Sequence, residues 1–244
     1  MRDRFFVEGV HAVGDRIALA PDDARKVAIV LRKRSGDRVQ VVDSGGAAYA
    51  ATLAVDGRAV GATLDERLDR GDVETALRIT LAQAVPKGQK MDFVVEKATE
   101  LGAHAIIPVR SARVVGHDTS PAKVERWRRV ARSAAQQSGR TQIPGVADVH
   151  DWDALLATFA AYDRVYLPWE LAAPAPLREV FEHDLPDAGN VLLIIGPEGG
   201  FAEDEVMRAR EAGARPISLG RRILRTETAA LVVLSALLYA RGEL

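Results

Sequence analysis

Val191-Leu192-Leu193-Ile194-Ile195-Gly196-Pro197-Glu198-Gly199-Gly200 reads as a strand that ends abruptly in a glycine loop. Five successive β-branched or aliphatic residues are what a parallel strand covered on both faces shows. Three glycines in the next five positions allow positive φ and close approach of a ligand to the backbone, and Pro197 removes one donor. The pattern outward from this loop is regular. A helix is expected from about Ala202 to Ala212, with Glu203, Asp204 and Glu205 in its first turn and Gly213 past its end. Ile217-Ser218-Leu219 reads as a short strand and Gly220-Arg221-Arg222-Ile223-Leu224-Arg225 as a second loop, with Thr226 as N-cap of a last apolar helix. Two such loops leaving buried strands belong side by side at the carboxyl edge of one sheet, where open α/β sheets bind ligands.

Composition narrows the possibilities. The 244 residues suffice for one large or two modest domains, and 48% hydrophobic with 27% charged residues describes a globular protein. The net charge of −1 means that any nucleic-acid surface is a local patch. There is no cysteine, which removes disulfides, thiolate metal sites and thiolate nucleophiles together. The five histidines are scattered without metal-ligand spacing, so no metal is expected. Neither a Gly-x-Gly-x-x-Gly loop after a strand nor a P-loop occurs. The charged start lacks the apolar core of a signal peptide, and the run Ala229 to Ala240 is too short to span a bilayer. A cytoplasmic protein with no membrane contact is expected.

The N-terminal part has the pattern of a small β domain. Asp15–Leu19, Arg38–Val42 and Ala48–Leu53 are candidate strands, Ser44-Gly45-Gly46 a hairpin turn, and Pro21–Arg34 a helix. A charged segment, Asp65–Glu74, marks a boundary and divides the chain into domains 1–72 and 73–244. Beyond it, strands at Leu77–Val85, Ala105–Val109 and Arg164–Leu167 alternate with helices at Gln89–Leu101, from Ser120-Pro121 to about Arg140, and at Asp151–Ala160. That order specifies an α/β fold with a mainly parallel sheet. The exit loop Pro168-Trp169-Glu170 is the third wall expected around a ligand. Between Arg25 and Arg38 stand six bases and one acid, and the helix after Ser120 has five bases against Glu125. Phosphate contact competes with a plain solvated face at both places.

The two glycine loops, the second continuing as Leu219-Gly220-Arg221-Arg222-Ile223-Leu224-Arg225-Thr226-Glu227-Thr228-Ala229, resemble the signature of SPOUT-type RNA methyltransferases. The resemblance is strongest to the bacterial 16S ribosomal RNA uridine-N3 methyltransferase family. It extends to Arg2, Arg4, Phe5 and Phe6, to Val30-Leu31-Arg32, to Glu96–Gly102 and to Gln136–Arg140. It implies a C-terminal trefoil-knotted SPOUT methyltransferase domain, a small N-terminal PUA-like β-barrel that binds RNA, and a homodimer formed through the knot domain. The implied cofactor is S-adenosylmethionine, and the implied substrate is 16S rRNA in the small ribosomal subunit, methylated at a uridine N3 near the decoding centre. The cofactor site would comprise Leu167, Pro168, Trp169, Glu170, Gly196, Pro197, Glu198, Gly199, Gly200, Leu219, Gly220, Arg222, Ile223 and Leu224. Catalysis would fall to Arg225, Glu227 and Glu198. RNA contacts would come from Arg2, Arg4, Arg25, Lys26, Arg32, Lys33, Arg34, Arg129, Arg132 and Arg140, although many family members have histidine at the Arg25-Lys26 position. The missing cysteine disfavours pyrimidine C5 chemistry, which uses a thiolate, whereas a ring nitrogen needs only deprotonation and alignment. Action on tRNA or another base or ribose atom, and a non-catalytic RNA-binding role, remain alternatives.

Overall fold

The computed structural model describes residues 3–69, 73–113, 119–172, 175–185 and 187–244. The chain forms two compact units, Met1–Glu74 with Ala135–Gln142, and Thr75–Ala134 with Ile143–Leu244.

The first unit is built on a five-stranded sheet. Its strands lie in the spatial order Arg4–Phe6, Arg38–Val42, Ala48–Asp56, Ala59–Leu68, Arg16–Ala18. Only the pair Arg4–Phe6 with Arg38–Val42 is parallel. The first hairpin turn is held by Asp43, whose Oδ1 accepts from the N–H groups of Gly45 and Ala47 at 2.9 Å each. Ala59–Leu68 went unrecognised in the sequence because Asp65-Glu66-Arg67 reads as linker. The alternation of buried Val60, Ala62 and Leu64 with outward neighbours explains it as a strand. These residues close a core with Phe5, Val27, Val41 and Leu53. The expected helix over 21–34 is shorter: Pro21–Arg25 is α-helical, Lys26–Val30 widens to π-helical turns, and Arg32 turns the chain with φ 52°.

The segment Ala135–Gln142 belongs to this unit, and two arginines hold it there. Arg4 is 3% exposed; its guanidinium donates to the carbonyls of Gly139 and Arg140 and, at 3.1 Å, to Gln40 Oε1. Arg140, also buried, pairs with Glu74 through Nε at 3.0 Å and the terminal nitrogen at 2.6 Å. Glu74 Oε1 accepts from the N–H groups of Thr141 and Gln142 at 2.8 and 3.0 Å. Burial alone would push the Glu74 carboxyl up, but Arg140 and these amides outweigh it and hold it below the usual carboxylate range. Arg4 and Arg140 are therefore corrected from RNA-contact candidates to internal ties, because no phosphate reaches a guanidinium buried and bonded in this way.

The second unit is a seven-stranded, fully parallel sheet. Its main path runs Arg215–Ile217, Arg164–Pro168, Asn190–Ile195, Arg78–Ala84, Ala105–Arg110, Gly145–Val146, and His150–Asp151 also pairs with Ala105–Arg110. Asn190–Ile195 sits between two strands already laid down. Val191, Leu193 and Ile195 point into one core with the helices Lys90–Glu100, Pro121–Ser138, Leu177–Asp184 and Thr226–Ala240. Leu192 and Ile194 point into the other, with Trp152–Leu156 and Glu203–Glu211. The continuous apolar run follows from that double cover. Leu177–Asp184 was not anticipated, and the last strand lies two residues earlier than Ile217-Ser218-Leu219. Pro216, which lacks a donor, is accommodated because this strand is at the sheet edge. Ser218 and Leu219 are thereby released into the following loop.

Candidate functional site

A cavity of about 550 Å³ opens at the carboxyl ends of Arg164–Pro168, Asn190–Ile195 and Arg215–Ile217. Its walls are Pro168-Trp169-Glu170, the loop Ile195–Phe201, and the loop Ser218–Thr226. The first wall is pinned by Trp169 N–H to the Ile217 carbonyl at 3.0 Å, the second by Gly200 N–H to the Pro197 carbonyl at 3.0 Å. Glycine is required here at two points. A Cβ on Gly196 would come within 3.0 Å of the Phe201 ring, and one on Gly200, at φ +67°, within 3.0 Å of Glu170 Oε1. Gly199 has only ordinary contacts with Arg113, whose guanidinium donates to the Gly199 carbonyl at 2.5 Å.

Of the residues expected at a cofactor site, all but Leu167 line the cavity, and Arg221 joins them. Leu167 is corrected: alternation along its strand turns it into the core with Leu192 and Phe201. Among the three catalytic candidates, Glu198 and Arg225 lie on the wall and Glu227 does not. Arg225 is exposed and stands at the N-cap position of the last helix; its carbonyl accepts from the Ala229 N–H at 2.8 Å, while its side chain has no hydrogen bond or ion pair to another described residue. Thr226, read as the cap, is instead buried at the helix start. Its hydroxyl donates to the Gly196 carbonyl at 2.5 Å and accepts from Gln83 Nε2 at 2.9 Å. The two glycine loops are thus tied together from beneath. A glutamine inside the apolar run Leu81-Ala82-Gln83-Ala84-Val85 was the signal for this tie, since a polar residue there must find partners.

A second polar group stands at the cavity edge. Glu198 Oε1 accepts from the Lys87 N–H and from Lys90 Nζ, each at 3.1 Å. Lys90 Nζ also lies 3.6 Å from Glu227 Oε2, an oxygen that is buried without a hydrogen-bond partner. Burial pushes the Glu198 carboxyl up, and its own N–H, Lys90 and the Lys87 N–H outweigh this and hold it below the usual range. The hydrogen bond to Glu198 raises the Lys90 ammonium above its ordinary value against some desolvation. Both groups are therefore charged at neutral pH. Nothing in the chain pattern singled out Lys90 beyond its place just after the strand exit Pro86-Lys87-Gly88.

Residues 73–238 match the family described as the RNA methyltransferase domain. The chain belongs to this RNA methyltransferase family. The ribosomal RNA small subunit methyltransferase E of Bacillus subtilis is 41% identical over 172 residues, which cover 68% of this chain and 67% of that protein. A methyltransferase from Legionella pneumophila, solved in complex with the bound cofactor SAM, matches 98% of both chains at 30% identity and a TM-score of 0.88. The ribosomal RNA small subunit methyltransferase E of Neisseria gonorrhoeae, bound to S-adenosyl methionine, also matches 98% of both chains, at 31% identity and a TM-score of 0.87.

The remaining expected RNA contacts of this methyltransferase are distributed over both units. Arg2 lies outside the described residues. Arg25, Arg32 and Arg34 are exposed on the first unit, while Lys26 donates to Gln136 at 3.0 Å and Lys33 pairs with Asp3 at 2.9 Å. On the second unit Arg129 is exposed and Arg132 half-buried. The basic face of their helix is less unbalanced than its sequence implies, because Arg126 pairs with Asp92 and Arg128 with both Glu125 and Asp148. Among the described residues no group of three or more His, Cys, Asp or Glu could hold a metal, and no helix is long and apolar enough to cross a membrane.

Proposed function

We propose that this methyltransferase uses S-adenosylmethionine to methylate N3 of a uridine in 16S ribosomal RNA, near the decoding centre of the small subunit. The observation that carries the reading is the glycine-walled cavity, in a chain that aligns end to end with methyltransferases solved with this cofactor bound. The cavity suits the group. Its volume falls in the range of small-molecule sites. The glycines at 196, 200 and 220 let an adenine edge come close to the loop backbone, and Leu219, Ile223 and Leu224 offer apolar cover for its faces. Ile223 is 83% exposed, which leaves its side chain available to a ligand.

Bound S-adenosylmethionine supplies an electrophilic methyl group on its sulfonium sulfur. Neutral uracil N3 carries a proton and has no free in-plane lone pair, so the chain must take that proton away. Glu198, ionised and on the wall, is the acceptor. Its low basicity makes the transfer unfavourable by itself. Arg225 offsets this by placing a planar guanidinium against the carbonyl oxygen where negative charge collects. Glu227, behind the wall, acts through Lys90 rather than on the base.

We read residues 1–72 as a PUA-like RNA-binding barrel and 73–244 as a trefoil-knotted SPOUT domain. Support for the second comes from the last helix, which leaves the second glycine loop and packs on Lys90–Glu100 and Leu177–Asp184. A cytoplasmic homodimer fits its outer side, where Val232 and Tyr239 are exposed. Exposed Arg25, Arg32, Arg34 and Arg129 are the residues offered to phosphates. The deciding experiment is mass analysis of small-subunit rRNA nucleosides from cells with and without the gene. Loss of 3-methyluridine is expected, and loss of 5-methyluridine or a ribose-methylated nucleoside instead overturns the reading.

A further inference from the structure

We propose that Lys90 is a positioning residue, whose ammonium bridges the carboxylates of Glu198 and Glu227 and thereby aims Glu198 at the substrate. The inference rests on the proposed methyl transfer and adds to it a residue outside the cavity wall. Lys90 is the first residue of the helix Lys90–Glu100, and the backbone just before it also grips Glu198 through the Lys87 N–H. Glu198 comes from the first glycine loop and Glu227 from the first turn of the last helix, two residues after Arg225. One ammonium therefore joins three elements, at 3.1 Å to Glu198 and 3.6 Å to Glu227.

The bridge answers two problems at once. Two carboxylates next to one cavity repel each other, and a cation between them offsets that repulsion and holds both in place. Glu227 Oε2 is buried with no hydrogen-bond partner, so Lys90 supplies the nearby charge that makes its burial tolerable. Lys90 itself is held protonated by these contacts, so it orients the acceptor and is not the acceptor. Among the described residues, the other charged groups on or beside the same cavity include Glu170 from the first wall, Arg113 on the Gly199 carbonyl, and Arg221, Arg222 and Arg225 from the second loop. None of them hydrogen-bonds to Glu198.

The test compares full-length wild type with Lys90→Met and Lys90→Arg. With carboxyl-13C glutamate and Glu198→Gln for assignment, the Glu198 titration is followed without RNA or cofactor. Its midpoint is expected to rise in Lys90→Met and to return toward wild type in Lys90→Arg. Single-turnover methylation at saturating cofactor should fall about tenfold or more in Lys90→Met at neutral pH, since small misplacements of reacting groups are costly. The acid limb of its pH profile should move upward with the midpoint, while cofactor affinity stays within about twofold, as expected for a group that acts on chemistry rather than binding. An unmoved Glu198 midpoint, or a rate loss that Lys90→Arg does not recover, overturns the inference. A wild type that forms no 3-methyluridine refutes the proposed function instead, and the RNA-free titration still decides the role of Lys90.

Discussion

Replacing Thr226 by valine tests whether the two glycine loops are held together by the buried hydroxyl. The change preserves shape and volume, so it opens no cavity of consequence. It does remove the donor to the Gly196 carbonyl and one of the two acceptors of Gln83 Nε2, which keeps only the Ala84 carbonyl at 2.9 Å, so one N–H is left orphaned. Gln83 is fully buried and already has an unpartnered Oε1, so the loss cannot be made up by water. An orphaned buried polar group costs about 1–3 kcal/mol, and two of them, one only half-buried, give about 2–4 kcal/mol. For a unit of this size that lowers Tm by about 5–15 °C. Thr226→Ser keeps both bonds and deletes one methyl, for about 1 kcal/mol. Denaturant unfolding of both variants, with Gln83→Leu and the Gln83→Leu/Thr226→Val double, completes a cycle whose coupling should reach about 1 kcal/mol or more. A Thr226→Val protein within about 0.5 kcal/mol of Thr226→Ser refutes the tie, since the orphaned groups should cost more than the methyl.

Gly200→Val should abolish cofactor binding in calorimetric titration while leaving the protein folded, because a side chain at φ +67° both strains the loop and meets Glu170. Binding within about twofold of wild type, well under the 1.4 kcal/mol that a tenfold change represents, would count against the cavity as the cofactor site. Glu74→Gln should destabilise the first unit by about 1–3 kcal/mol at neutral pH. The Glu74 carboxyl is depressed below 4.5 when folded, so its contribution is present above that pH and is lost as pH falls through the folded value. Urea midpoints of wild type and variant should therefore converge under acid conditions, and a gap that persists there would refute the argument. Val232→Glu with Tyr239→Glu should yield a folded monomer by light scattering, since both side chains face outward. Leu237→Asp should unfold the protein, because Leu237 is fully buried in the core, and a folded Leu237→Asp monomer would contradict this packing.

Much of the second unit was legible in the chain because its local patterns and its tertiary environment agree. The run Val191–Ile195 is apolar at every position, and a strand with helices on both sides demands that; the glycines after it sit where a Cβ would strike Phe201 or Glu170. The same agreement located the walls Pro168–Glu170, Gly196–Gly200 and Leu219–Leu224, all of them at strand exits. Where sequence alone fell short, the deciding partner was far away along the chain. Ala59–Leu68 carries its charges on the outward positions of a strand whose partner is Ala48–Asp56, so Asp65-Glu66-Arg67 looks like linker until the pairing is known. Arg4 and Arg140 are chemically indistinguishable from phosphate-binding arginines; only their burial, against carbonyls of the segment 139–140 and against Glu74, assigns them to the interior. Thr226 has the residue type of a cap, and Gln83 and Gly196 turn it into a bond between loops. Lys90 and Glu198 are 108 positions apart, and their pairing exists only because the parallel sheet brings two exits together. Residue type and periodicity report the environment of each residue one at a time, so they determine strands, loops and the edge that holds the cavity. Which charge meets which is a property of pairs distant in sequence, and only the folded chain decides it.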